Sequence, residues 1–181
     1  GIGAQLMRKC VRKARGAITL VVLRCTRKLL DRVGVPLESP PQSSSRLGDW
    51  YAKPFQIGRK RFILLMSGTS RLPVVMLDRD VVNLGRDFPD ALGAVLSALG
   101  VPDLAAAAEV ELSREFVYAA TDSRSMLGSL NDFALMAQHR SRDSGEIDVV
   151  GLSVELSGTP IIAMNFGFPR NVTLGLLANS G

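Results

Sequence analysis

"LGDWYAKPFQIGRKRFILLMSGTSRLPVVMLD" (residues 47–78) holds three runs of strand-forming residues separated by two turns. Trp50, Tyr51, Phe55 and Ile57 mark the first run, and Gly58-Arg59-Lys60 closes it. Residues 62–66 form the second run, residues 67–70 the next turn and residues 72–77 the third run. Short β-branched and aromatic runs broken by Gly and Ser predict a β-meander. Pro54 cannot donate to a ladder and suits an edge or a bulge, while Pro73 suits a strand start.

Upstream, residues 18–25 are apolar and β-branched, with only Thr19 as a polar interruption. That pattern predicts a strand buried on both faces. Thr26 is placed to cap a following helix with Leu29, Leu30 and Val33 on its inner stripe, stopped by Gly34 and Pro36. Downstream of the meander the period lengthens. Pro89 suits the first position of a helix whose face carries Leu92, Val95, Leu96 and Leu99. Pro102 opens a second helix through the alanine run. Residues 116–121 read as a strand. Residues 122–140 form the clearest helix, with Met126, Leu130, Phe133, Ala134 and Ala137 on one face. Residues 147–157 fit a strand or a helix, and the Gly158–Pro160 exit favours the helix. Strands and helices fall in blocks. The expected class is therefore α+β, a mainly antiparallel sheet with a central β-meander packed against three to five helices.

The chain has 181 residues and a formal net charge of +5. Arg8, Lys9, Arg12, Lys13 and Arg15 carry that excess within residues 1–16, which contain no acid, and the remaining residues balance 17 basic with 17 acidic side chains. A protein that grips a phosphate backbone carries its excess cations on the folded surface. The neutral body therefore argues against extended nucleic-acid binding. Residues 1–16 read as a basic leader, disordered or non-native, and residues 17–181 as one domain. No stretch is long enough to span a membrane, and cytoplasmic location is the default expectation.

Two cysteines and one histidine exclude a structural zinc site. No phosphate-loop, dinucleotide, nucleophile-elbow or zinc-protease motif occurs, so neither metal nor cofactor is expected. The carboxylate pairs Asp78/Asp80, Asp87/Asp90 and Glu109/Glu111 read as solvated faces.

Three stretches combine chemically useful groups. In residues 24–28, Arg24, Cys25 and Lys28 surround a strand-to-helix handover. A thiol there would feel nearby cations and the helix dipole, and an anion could rest on the same groups. Against this stands the strong tendency of free cysteine to be buried. In residues 47–53, Asp49 and Trp50 adjoin Tyr51. Successive strand residues face opposite ways, so Trp50 either stacks on a flat ligand or fills the core, the more common outcome. In residues 121–132, Arg124, Gly128 and Asn131 share one helix row, and Ser125, Ser129 and Asp132 the next. A glycine inside a helix costs about 1 kcal/mol against alanine, which suggests a close approach at Gly128.

These stretches, "RCTRKLL", "LGDWYAKPFQIGRKRFILL" and "SRSMLGSLNDF", together with a late "ELSGTPI", resemble a family of small bacterial proteins known only as a domain of unknown function. The resemblance spans roughly residues 20–170 and leaves the leader outside. It supports the domain limits and implies no activity. The expected function is a small binding or regulatory domain for an anionic ligand such as a nucleotide or an RNA end. The candidate binding residues are Arg24, Cys25, Lys28, Asp49, Trp50, Arg124, Ser125 and Asn131. One alternative is a nuclease- or transferase-type enzyme, with Asp49 or Asp132 as acid–base group and Cys25 or a serine as nucleophile. Another is a subunit of a complex, its three stretches covered by a protein partner.

Overall fold

A computed structural model describes residues 19–35, 39–141 and 145–178. The leader, residues 1–16, lies outside the described residues. The chain runs β1 (Val21–Cys25), α1 (Arg27–Val33), β2 (Trp50–Ile57), β3 (Lys60–Ser67), β4 (Pro73–Leu77), α2 (Leu84–Ala98), α3 (Asp103–Leu112), β5 (Phe116–Ala120), α4 (Arg124–Arg140), α5 (Val149–Ser157) and α6 (Pro169–Ala178). Short 3-10 turns at Val81–Asn83 and Ile162–Met164 precede α2 and α6.

The fold is α+β, but the sheet is mixed and not mainly antiparallel, and two further expectations need correction. The five strands form one mixed sheet in the order β4-β3-β2-β1-β5, with the meander at one side and not at its centre. Pairs β2/β3 and β3/β4 are antiparallel, whereas β1 is parallel to both neighbours, β2 and β5. The reason is connectivity. Each parallel neighbour is reached through a helical return, and only the two tight turns of the meander make antiparallel partners. The described residues form six α-helices, not three to five.

Period-two alternation divides the strand side chains between two cores. On one face Val21, Leu23, Cys25, Trp50, Ala52, Ile63, Leu65 and Val74 meet α1, α2, α3 and Leu177 of α6. Trp50 is fully buried here, edge-on to Phe88 of α2 with ring centroids 4.9 Å apart. On the other face Tyr51, Phe55, Ile57, Leu64, Met66 and Val75 meet α4 and α5. The expected α4 stripe, Met126, Leu130, Phe133, Ala134 and Ala137, is all buried against this face. Burial of a large aliphatic or aromatic side chain stabilises by about 1.5–3 kcal/mol, so the two stripes fix α1 and α4 on opposite sides of the sheet.

Local signals explain the element limits. Gly34 ends α1 in the left-handed region at φ 70°, and its N–H reaches the Leu30 carbonyl. Pro54 pairs with Ile63 of β3, past the last β1–β2 pair, Cys25–Ala52, so its missing N–H interrupts no ladder bond to β1. The helix expected to begin at Pro89 starts earlier, at Leu84, with Pro89 in its interior. Gly85 lets this turn lie against β5, because a Cβ there would stand 2.2 Å from the Phe116 ring, and its N–H is bonded to Tyr118 Oη at 3.1 Å. Residues 149–157 are helical, capped by Asp148, which accepts from the Gly151 N–H.

Two of the acids read as solvated are in fact interior groups. Asp78 is buried and holds Arg32 through two bonds of 2.7 and 2.8 Å. Glu109 is buried on α3 and accepts from Ser45 Oγ at 2.5 Å and the Arg46 N–H at 3.3 Å. Both tie a loop or helix to its neighbour across a long sequence separation.

Candidate functional site

The site grows out of the middle of the sheet. Strands β1 and β5 are adjacent and parallel. Helix α1 leaves the carboxyl end of β1 toward one face, and α4 leaves the carboxyl end of β5 toward the other. Divergence of this kind is the arrangement in which open sheets with parallel strands bind ligands beyond the strand ends.

Arg24, at the penultimate position of β1, organises this end. Its Nε donates to Asp49 Oδ2 at 2.5 Å, and its Nη1 lies 3.1 Å from Asp122 Oδ2 and donates to the Ala120 carbonyl at 3.3 Å. Tyr51 Oη donates to the other Asp122 oxygen at 2.6 Å. Burial alone would lower the Arg24 pKa, but the Asp49 hydrogen bond and the charges of Asp49 and Asp122 hold it above its ordinary value. Burial first, and then the bond to Asp122, pushes the Tyr51 phenol up to about 12. The knot ties β1, the approach to β2 and the β5–α4 junction together. It also engages both carboxylates, so neither Asp49 nor Asp122 is placed as a free base.

Two strand positions beyond Tyr51, on the same side of β2, Lys53 reaches α4 and donates to Asn131 Oδ1 at 2.5 Å. Its pKa is lowered, first by burial and then by the charge of Lys28. Lys28 and Lys53 together line a groove of about 470 Å³, with Pro54, Phe55, Gln56, Asn131, Ala134, Leu135 and Gln138. Gln138 donates to the Gln56 carbonyl at 2.8 Å and covers the stretch of β2 that runs past β1. The lining therefore offers two ammonium groups, three carboxamides and an apolar floor, and contains no carboxylate.

Arg124 and Ser125 stand at the first turn of α4, seven and six residues before Asn131. At 1.5 Å per residue they lie roughly 10 Å from it along the helix. Ser123 caps that turn by accepting from the Met126 N–H at 3.2 Å. Arg71, in the β3–β4 turn with φ 61°, donates to Ser125 Oγ at 3.4 Å and approaches Met126 Sδ. Burial lowers the Arg71 pKa. Arg124 is exposed.

The eight candidate residues thus separate. Lys28 and Asn131 share the groove, Arg24 and Asp49 form the adjoining knot, and Arg124 and Ser125 mark the far end of the same helix. Cys25 and Trp50 do not belong to an accessible site. Both side chains point into the α1–α2 core and are fully buried. Burial pushes the Cys25 thiol up to about 12, the opposite of an activated thiolate. The two-turn α1 gives little dipole support, and Thr26 makes no side-chain cap bond. The anion reading must therefore rest on side chains. Gly128 faces open space, with nothing within 4 Å of a built Cβ, so it marks no close approach. Asp132 is exposed and outside the groove lining. Reasoning from sequence missed Lys53, Gln56 and Gln138. The available signal was period two from Tyr51, which places Lys53 on the face away from Trp50.

Elsewhere, Ile162 and Phe166, in the loop closed by the Ile161–Gly167 bridge, and Phe168 just after it are large exposed apolar side chains. Among the described residues there is no group of three or more potential metal ligands and no helix long and apolar enough to cross a membrane. A family model, Domain of unknown function (DUF6933), matches residues 22–172. No curated protein and no solved structure matches the chain.

Proposed function

We propose, from the premise that the chain belongs to the DUF6933 family, that it is a binding domain for a small anion with a flat, polar body, of the size of a nucleotide. One observation carries this reading: the groove past the end of β1 joins Lys28 and Lys53 to Gln56, Asn131 and Gln138 over an apolar floor, without an acid. Two adjacent ammonium groups repel each other and have no counter-ion in the lining, so an incoming phosphate or carboxylate relieves that repulsion as it binds. Carboxamides supply both donors and acceptors for the edge of a ring. The volume falls within the 300–1,000 Å³ range of small-molecule pockets. With a charge-balanced body, this favours a compact ligand over a long nucleic acid. The position past the end of β1 follows the general behaviour of parallel strand ends.

Calorimetric titration with adenosine monophosphate and with inorganic phosphate tests the reading. Binding should weaken at least about tenfold, near 1.4 kcal/mol, in Lys28→Met and in Lys53→Met, and remain unchanged in Lys60→Met. Equal affinity in all four proteins would overturn it.

A further inference from the structure

Lys53 differs from an ordinary binding lysine. The chain has only five lysines, and two of them, Lys28 from α1 and Lys53 from β2, line the same groove. Lys53 is partly buried, and neither amine is ion-paired with a carboxylate among the described residues. Its one hydrogen-bond partner there is a neutral acceptor, Asn131 Oδ1 at 2.5 Å. Pro54, Phe55, Ala134 and Leu135 supply the apolar walls. A second cation, an apolar wall and the lack of a carboxylate all disfavour the ammonium form and raise the share of neutral, nucleophilic amine in equilibrium with it. Asn131 can hold that amine in place through one N–H and leave its lone pair free to attack. Lys28 can hold an anionic group beside it.

We propose that Lys53 is an imine-forming amine, and that the groove takes an anion whose other functional group is an aldehyde or ketone. The inference rests on the anion-binding reading of the same groove and names the ligand class more closely. The neutral Lys53 Nζ attacks the carbonyl carbon, forming a C–N bond as the C–O π pair moves to oxygen. Proton transfer from nitrogen to that oxygen gives the carbinolamine. The nitrogen lone pair then expels hydroxide, which takes a proton from solvent and leaves as water. The C=N bond so formed is the iminium, and its remaining N–H donates to Asn131. The step is reversible and consumes no oxidant or reductant.

The probe is pyridoxal 5′-phosphate, an aldehyde that carries a phosphate, with cyanoborohydride present to reduce only the imine. Peptide mass mapping of the full chain reads the rate at each lysine. Lys53 should be modified about tenfold faster than Lys60, the factor that about 1.4 kcal/mol of added charge-assisted contact supplies. Lys60 sits between Arg59 and Arg61 and donates to the Gly145 carbonyl, so it controls for mere basic density. The Lys28→Met protein should lose more of the advantage for the phosphate aldehyde than for pyridoxal without phosphate, because the substitution removes the anion contact as well as the neighbouring charge. In Lys53→Arg the rate at Lys60 should not change. Labelling of Lys53 no faster than Lys60 would overturn the inference. Phosphate binding without an imine at Lys53 defeats this inference alone. No binding of any anion, with fast labelling by neutral pyridoxal, defeats the anion reading and keeps the amine.

Discussion

Asp78 shows how much one side chain can hold. Its carboxylate, 1% exposed, takes both Nη groups of Arg32, whose side chain is 31% exposed. The pair joins α1 to the end of β4. Asp78→Asn would leave the guanidinium facing a weaker acceptor in a confined space. The expected loss is about 2–3 kcal/mol of unfolding free energy, read from a urea melt of variant against parent. A change within 0.5 kcal/mol, as for surface positions, would mean the pair contributes little. The Arg24 knot follows the same logic, with two carboxylates and a phenol around one cation. Sequence reasoning found Arg24 and Asp49 but not this pairing, because an ion pair across 25 residues leaves no periodic trace. Cys25 and Trp50 were legible only as alternatives. The core outcome followed once β1 and β2 were seen to share an inward face, which sets both the thiol and the indole against α2 and away from solvent.

At the scale of elements, the strands and the α4 stripe were readable because period two and period 3.6 are local. The direction of β1 was not. Parallel or antiparallel pairing depends on where the chain returns, and a 16-residue connection from α1 to β2 carries no mark of that. Its one trace was the absence of polar alternation in residues 18–25, which suits a strand covered on both faces. The edge of β4 also depends on a distant element. Ser153 of α5 accepts from the Val75 N–H at 2.9 Å while donating to the Val149 carbonyl at 2.6 Å. An exposed edge N–H is otherwise a template for pairing with another chain. Ser153→Ala should lower stability by about 1–2 kcal/mol and speed hydrogen exchange at the Val75 amide. An unchanged exchange rate at that amide would show that the serine does not cover the edge.

For the whole molecule, the buried acidic groups fix the response to alkali. Burial raises Tyr118 from 10.0 to about 12 and Cys25 from 9.0 to about 12, and burial with the Asp122 bond raises Tyr51 from 10.0 to about 12. The folded chain keeps these protons where the unfolded chain has released them, so each contribution is whole below the unfolded pKa and lost as pH rises through the folded one. Stability should therefore be flat up to about pH 9 and fall from there to pH 12. Tyrosinate absorbance should rise together with the loss of helical circular dichroism. Tyrosine ionisation at pH 10 with the helix signal intact would contradict the burial of both rings. The same mixed sheet that buries them turns α1 and α4 to opposite faces, with the Lys28–Lys53 groove beyond the end of β1. The most direct test of that arrangement is a nuclear magnetic resonance titration of the ¹⁵N-labelled chain with adenosine monophosphate. Saturable shifts should centre on the backbone amides of Lys28, Lys53, Asn131 and Gln138. Shifts confined to other surfaces, or none at millimolar ligand, would contradict the account.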